Sequence, residues 1–189
     1  MKQPTKLLLV TLALVGCETP AVYVDPNTGA GVVSVDQINV QDFALAADGM
    51  LQSLYDSPAF TGKVARDGGA PVLLVGRVRN ETASNFDTDL LVTKLTVSIT
   101  RSGKARVAKA IGITEPVDAV AAEARKGAPT LSPDYTLSGK IIETRAKAGK
   151  VRQATYTFQL ALTDVKTGLS VWEEEKAVTK QGSKSSVGF

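Results

Sequence analysis

Hydrophobic and polar positions recur along this chain with two periods, about 3.6 in its middle part and 2 in its last third. From Asn39 to about Tyr55, the residues Val40, Phe43, Ala44, Ala47, Met50, Leu51, Leu54 and Tyr55 follow i, i+3, i+4, i+7 spacing, with Asp42, Asp48 and Gln52 on the other face. This stripe predicts a core-facing helix capped by Asn39 and ended by Ser57-Pro58. Pro71 to Val78 is nearly unbroken and apolar. It predicts a central strand covered on both faces, ended by Asn80-Glu81-Thr82. Leu91, Leu95 and Ile99, with Leu90 and Val92 alongside, predict a second helix from Thr88 to about Ser102, capped by Asp87 and stopped by Gly103. Ala105 to Ala108 reads as a short strand. Thr114 followed by Pro116 opens a further helix with Val117, Val120, Ala121 and Ala124 facing inward and Gly127 as its stop.

The second period takes over after Pro133. Tyr135 to Ile142 reads as a strand, and the polar stretch Arg145 to Arg152, with Gly149 inside it, as a hairpin turn. Tyr156, Phe158, Leu160 and Leu162 alternate with Thr157, Gln159, Ala161 and Thr163, and Asp164 to Gly168 connects to a return strand from Leu169 to Lys176. The fold class is therefore α/β: a mixed sheet of about four to five strands with an antiparallel C-terminal meander, flanked by helices. Residues 39–180 form the globular domain. Residues 181–189 are a polar tail rich in Ser and Gly, in a mobile stretch that begins near Lys180.

The N-terminal end follows neither period. Lys2 and Lys6 precede an apolar run from Leu7 to Val15, about half the length needed to cross a bilayer as a helix. The run ends in Leu14-Val15-Gly16-Cys17, which holds the only cysteine. This pattern resembles a bacterial lipoprotein signal. The resemblance implies a leader over 1–16, diacylglycerol on the Cys17 thiol, and acylation of the new amino group. Several acyl chains on one residue hold a protein to a bilayer where a single chain does so only marginally. The next residue is Glu18, not the aspartate associated with inner-membrane retention, so the resemblance points to the outer membrane, facing the periplasm. Residues 17–38 are the lipidated cysteine and a tether marked by Thr19-Pro20 and Asp25-Pro26-Asn27-Thr28-Gly29. Val22 to Val24 and Val32-Val33 are apolar enough for a brief strand or docking contact.

Composition narrows the chemistry. The 189 residues carry 22 Lys and Arg against 19 Asp and Glu. Lys2 and Lys6 leave with the leader, so the mature chain is within about one charge of neutral and has no electrostatic basis for binding nucleic acid. There is no histidine, which removes the commonest general base and metal ligand. With the sole cysteine committed to lipid, no zinc site, cofactor or internal disulfide is expected. Phosphate-binding and dinucleotide-binding glycine motifs do not occur. A carboxylate hydrolase using Asp134 with Glu143 is the weakest reading, since two acids in one strand region are ordinarily surface charges.

Val72-Leu73-Leu74-Val75-Gly76-Arg77-Val78-Arg79-Asn80-Glu81-Thr82, with the helix after Asp87, resembles the first strand and helix of the LpoB family. These are outer-membrane lipoprotein activators of class A penicillin-binding proteins. Asp134-Tyr135-Thr136-Leu137-Ser138-Gly139 is similar to that family's next core strand. Thr157 to Gly168, followed by Val171-Trp172, is similar to its closing hairpin. The resemblance implies a fold like the TolB N-terminal domain, no enzymatic activity, and a monomer that binds and activates a peptidoglycan synthase. The tether is shorter than the family's usual disordered stretch. A second reading is a lipoprotein subunit of an outer-membrane secretion channel, similar to the curli-secretion lipoprotein. The chain has no spare segments for pore strands, and a ring in mild detergent would distinguish it from a monomer.

The candidate partner-binding residues are Arg77, Arg79 and Asn80 at the end of one strand, Asp134 and Tyr135 at the start of another, and Trp172. For the first two sets, solvent exposure and turn chemistry is the reading favoured over partner contact. Trp172 is either a docking anchor or packing beneath a helix. Glu173-Glu174-Glu175-Lys176 reads as a solvated strand end that discourages edge pairing.

Overall fold

The computed structural model describes residues 23, 25, 31–58, 68–108 and 132–183. The expected leader, Cys17, most of the tether, the expected helix from Thr114 to Gly127 and the end of the tail lie outside these residues.

The described elements run α1 (Val40–Asp56), β1 (Val72–Glu81), α2 (Asp89–Ser102), β2 (Arg106–Ala108), β3 (Tyr135–Ala148), β4 (Val151–Asp164) and β5 (Ser170–Ser183). The strands form one mixed sheet in the order β2-β1-β3-β4-β5. β1 pairs in parallel with β2 and β3, and β3, β4 and β5 form an antiparallel meander. Both helices pack on one face and touch each other. The expected mixed α/β sheet with a C-terminal meander is thus the fold observed.

Each helix forms for reasons written in its ends and one face. Asn39 and Asp42 close a capping box: Asn39 Oδ1 accepts from the Asp42 N–H at 3.0 Å, and Asp42 Oδ2 accepts from the Asn39 N–H at 2.8 Å. Phe43, Ala46, Ala47, Met50, Leu51 and Leu54 are then buried against the sheet. In α2 the buried stripe is Leu91, Leu95 and Ile99, and Gly103 ends the helix at a positive φ. The cap of α2 falls one residue later than the sequence suggests. Thr88 stands there and donates its hydroxyl to the Val78 carbonyl, while the Asp87 carboxylate accepts from the Asp89 N–H.

The core lies between helices and sheet. Phe43 meets Phe158 edge-on with ring centroids 6.0 Å apart, and Tyr156, Leu160, Leu162, Leu137 and Ile141 fill the same layer. α1 runs antiparallel to β5. Asp42 lies by Lys180, Gly49 by the Lys176 side chain and Ser53 by Trp172.

β1 carries one extra residue opposite β3, between the pairs Val75↔Leu137 and Val78↔Gly139. This bulge re-phases the strand. Leu73, Val75 and Val78 all point to the helices, and Arg77 and Arg79 point away. The strand is central, as expected, but only its first half is covered on both faces: Val72 and Leu73 are buried, and Arg77 and Arg79 are exposed.

Gly139 sits where the bulged pair meets β4. A Cβ there would run into the Gln159 carbonyl and stand 2.6 Å from Leu160 Cδ2. Gly139→Ala is expected to cost about 3 kcal/mol, the upper end for overpacking, because backbone must move. A shift of the urea midpoint at unchanged slope checks this.

Two strand boundaries and the edge of the tether differ from the sequence reading. The stretch Arg145 to Arg152 is not a long turn. β3 and β4 continue through it to a two-residue loop, Gly149-Lys150, closed by the Ala148↔Val151 pair and a positive φ at Gly149. β5 runs past Lys176 to Ser183, so residues 181–183 pair with Val151, Arg152 and Gln153 instead of joining the tail. Residues 31–38, assigned to the tether, are attached to the domain: Val35 and Ile38 pack on the core and Asp36 pairs with Arg152.

Candidate functional site

The sheet face opposite the helices carries the arrangement best suited to recognition. Cross-strand register puts Arg79, Lys140, Gln159 and Glu175 in one row across β1, β3, β4 and β5. The row below it holds Ser138, Ala161 and Glu173, with Arg77 in the bulge beside it. Small residues form the floor, and longer side chains form the two walls. The result is a shallow basin of about 800 Å³ lined by Arg77, Arg79, Lys140, Gln159, Glu173 and Glu175, among others.

The basin is electrically polarised. Its cations sit on β1 and β3 and its carboxylates on β5, roughly 15 Å apart across three strand spacings. Arg79 Nη2 lies 3.3 Å from Glu81 Oε1, and Lys140 Nζ 3.8 Å from Glu81 Oε2. One carboxylate thus serves two cations, and the β1 side keeps a positive excess. Gln159 Nε2 donates to Glu175 Oε2 at 2.7 Å, holding that carboxylate over β4. Arg77 and Glu173 are exposed and form no ion pair among the described residues. Exposed pairs of this kind contribute little to stability. They leave a patterned surface with a defined sign at each side.

The other candidate residues lie elsewhere, and the fold uses them. Asp134 clips the start of β1 to β3. Its Oδ2 accepts from the Val72 N–H at 2.8 Å, and its own N–H donates to the Val72 carbonyl. Tyr135 is buried, 3% exposed. Asn80 builds the turn after β1: its Oδ1 accepts from the Thr82 N–H and its Nδ2 donates to the Ser84 carbonyl. Trp172 packs beneath α1, with Nε1 donating to Ser53 Oγ at 3.2 Å. Of its two sequence readings, packing under a helix is the one observed. The structure therefore brings Arg77 and Arg79 together on an open surface and puts the other four into turn, core and helix contacts.

Asp134 and Glu143 are nine positions apart on one extended strand, roughly 30 Å, and cannot share a substrate atom. The Glu143 side chain is 4% exposed and serves the fold. Oε1 accepts from Arg145 Nε at 2.6 Å, and Oε2 from the Ala83 N–H at 3.0 Å. Burial by itself would raise this carboxyl, but these hydrogen bonds outweigh it and hold it below its ordinary value of 4.5. Since the folded-state value is the lower one, the stabilisation is present above pH 4.5 and is lost as pH falls through the folded value. Glu143→Gln is expected to flatten that acid limb in urea titrations. Burial likewise pushes the Tyr156 hydroxyl above its usual 10.0.

Sequence reasoning missed Lys140, Gln159 and Glu175 as neighbours of the arginines. Only the pairing register brings them into one row, and no short motif records it.

The family profile described as peptidoglycan-synthase activator LpoB matches residues 42–178. Among solved structures, the LpoB C-terminal domain from Escherichia coli is 18% identical, with a TM-score of 0.48, over 72% of this chain and 98% of that one. The NMR structure of E. coli LpoB is 16% identical, with a TM-score of 0.46, over 96% of this chain and 90% of that one. The PelC dodecamer from Paraburkholderia phytofirmans is 25% identical, with a TM-score of 0.36, over 62% of this chain and 75% of that one. The comparison with curated proteins gave no match. The profile runs from the first turn of α1 into β5 and takes in the whole polarised face, so this chain belongs to the LpoB family of peptidoglycan-synthase activators.

Proposed function

We propose that this chain is a non-enzymatic outer-membrane lipoprotein, anchored through acylated Cys17 and facing the periplasm. Its domain binds a class A penicillin-binding protein and favours the active arrangement of that enzyme's glycosyltransferase and transpeptidase sites. The observation that carries this reading is the polarised open face within the family-matched domain, where a rigid sheet presents Arg77, Arg79 and Lys140 opposite Glu173 and Glu175. A surface of that kind selects a partner by pattern of charge and does no chemistry itself. Activation then follows from linkage. The domain must bind the active synthase conformation more tightly, and a tenfold shift in population needs a tenfold difference in affinity, about 1.4 kcal/mol.

The experiment is crosslinking in the envelope followed by recovery of the lipidated chain in mild detergent. A class A synthase is expected among the crosslinked products, with the uncrosslinked chain eluting as a monomer. Recovery without any synthase rejects the activator reading, and a large ring supports the secretion-channel reading instead. Cys17→Ser is expected to abolish activity in the envelope while leaving the domain's urea transition unchanged.

A further inference from the structure

The chain leading back to Cys17 and the β3–β4 hairpin meet at one end of the molecule. Asp36 Oδ1 accepts from Arg152 Nη2 at 3.1 Å and lies 3.5 Å from Arg145 Nη1. The Asp36 carbonyl accepts from Ser84 Oγ, and the Gln37 carbonyl from Lys180 Nζ. Gly31 lies against the Gln41 side chain, at the N-terminal end of α1 and on the same side. The segment toward Cys17 therefore leaves the fold beside the hairpin, at the end opposite Asp134 and the Asp164–Gly168 turn. Thirteen residues lie between Cys17 and Gly31, a span of roughly 50 Å when taut and about 20 Å as a coil.

The hairpin tip carries a single sign of charge. Arg145-Ala146-Lys147-Ala148-Gly149-Lys150-Val151-Arg152 holds four cations and no carboxylate. Arg145 and Arg152 share Asp36, whereas Lys147 and Lys150 lie exposed at the tip with the 41% exposed Val151 beside them. Two lysines at the end of a stiff ribbon, leashed within a few tens of ångströms of a bilayer, meet any anionic lipid there at high effective concentration.

We propose that in the acylated protein the β3–β4 hairpin tip docks on the anionic phospholipid surface that holds the anchor. The inference rests on the anchoring at Cys17 proposed above. Docking stands the strands on the bilayer and leaves the open face between β1 and β5 uncovered for a protein partner. Each cation near an anionic surface contributes about fivefold to the docked population, and the attraction is screened by salt.

The test uses the mature lipoprotein, with its acyl chains verified by mass, reconstituted into vesicles of phosphatidylcholine with or without phosphatidylglycerol. The Cys17 thiol is blocked by its thioether, so Ala148→Cys supplies the one site for a fluorophore at the tip and Thr167→Cys one at the far end. Quenching by headgroup-labelled lipid is expected for the tip label in phosphatidylglycerol vesicles. It is expected to disappear in phosphatidylcholine alone and at high salt. Lys147→Glu with Lys150→Glu is expected to lower docking at least about 25-fold, with an unchanged urea midpoint. The far label is expected to stay unquenched.

Equal quenching in both vesicles, or quenching indifferent to the charge reversal, overturns the proposal. So does a reversal that weakens retention on purified peptidoglycan while leaving vesicle quenching intact, since the wall is then the tip's partner. A free Cys17 thiol in the mass spectrum refutes the anchoring reading, and with it the local concentration that docking requires. That outcome is seen before any vesicle is measured.

Discussion

Lys180→Met is expected to destabilise the domain by about 3–5 kcal/mol, because it strands a buried carboxylate. Lys180 Nζ donates to Asp42 Oδ2 at 2.6 Å, and the two side chains are only 5% and 6% exposed. The ammonium also donates to the Gln37 carbonyl and lies 5.2 Å from the centre of the Tyr156 ring. Three parts of the molecule are joined at this one atom: the end of β5, the capping box of α1 and the segment leading in from the tether. With the lysine gone, Asp42 keeps the Asn39 N–H and loses its only counter-charge among the described residues. Urea unfolding measures the loss. Lys180→Met combined with Asp42→Asn is expected to recover most of it, since the amide still accepts from Asn39 and carries no charge to strand. A single substitution costing less than about 1 kcal/mol would show the pair to be solvated.

The second large effect is on binding. Arg77→Glu with Arg79→Glu is expected to weaken association with the synthase by about a hundredfold or more, since like charges facing across an interface cost several kcal/mol. Glu173→Lys with Glu175→Lys is expected to do the same from the other side of the basin. Both side chains in each pair are exposed, so the urea midpoints are expected to change little. Titration of synthase stimulation against activator concentration gives the affinity. If both reversed proteins stimulate at wild-type concentrations, the open face is not the docking surface.

Most of the fold was legible because burial imposes a period on the sequence. The α2 stripe of Leu91, Leu95 and Ile99, and the alternation from Tyr156 to Leu162, each follow from one wet face and one dry face. Legibility failed where that contrast fails. Between Arg145 and Arg152 the ribbon extends past the end of β1 and is wetted widely. A strand of that kind looks like a turn. Lys180 closes a long polar stretch and reads as tail, yet it is buried by an aspartate 138 positions away. The sequence pattern places Asp42 on the outer face of α1 for the same reason, since a charged side chain is expected inside only when paired and the pairing leaves no trace in the local sequence. The site was half legible. Arg77 and Arg79 were candidates by position, whereas the row they share with Lys140, Gln159 and Glu175 depends on register across four strands.

The bulge between Val75 and Val78 has a genetic corollary. Deleting Gly76 would remove the extra residue and leave Val75, Arg77, Val78 and Arg79 opposite Leu137, Ser138, Gly139 and Lys140, with both arginines still on the open face and Val78 still inside. A single-codon loss is absorbed at this point because the strand already holds one residue in excess. The strand therefore has one position where its length can drop by a residue, and lineages can keep this recognition surface with or without the bulge.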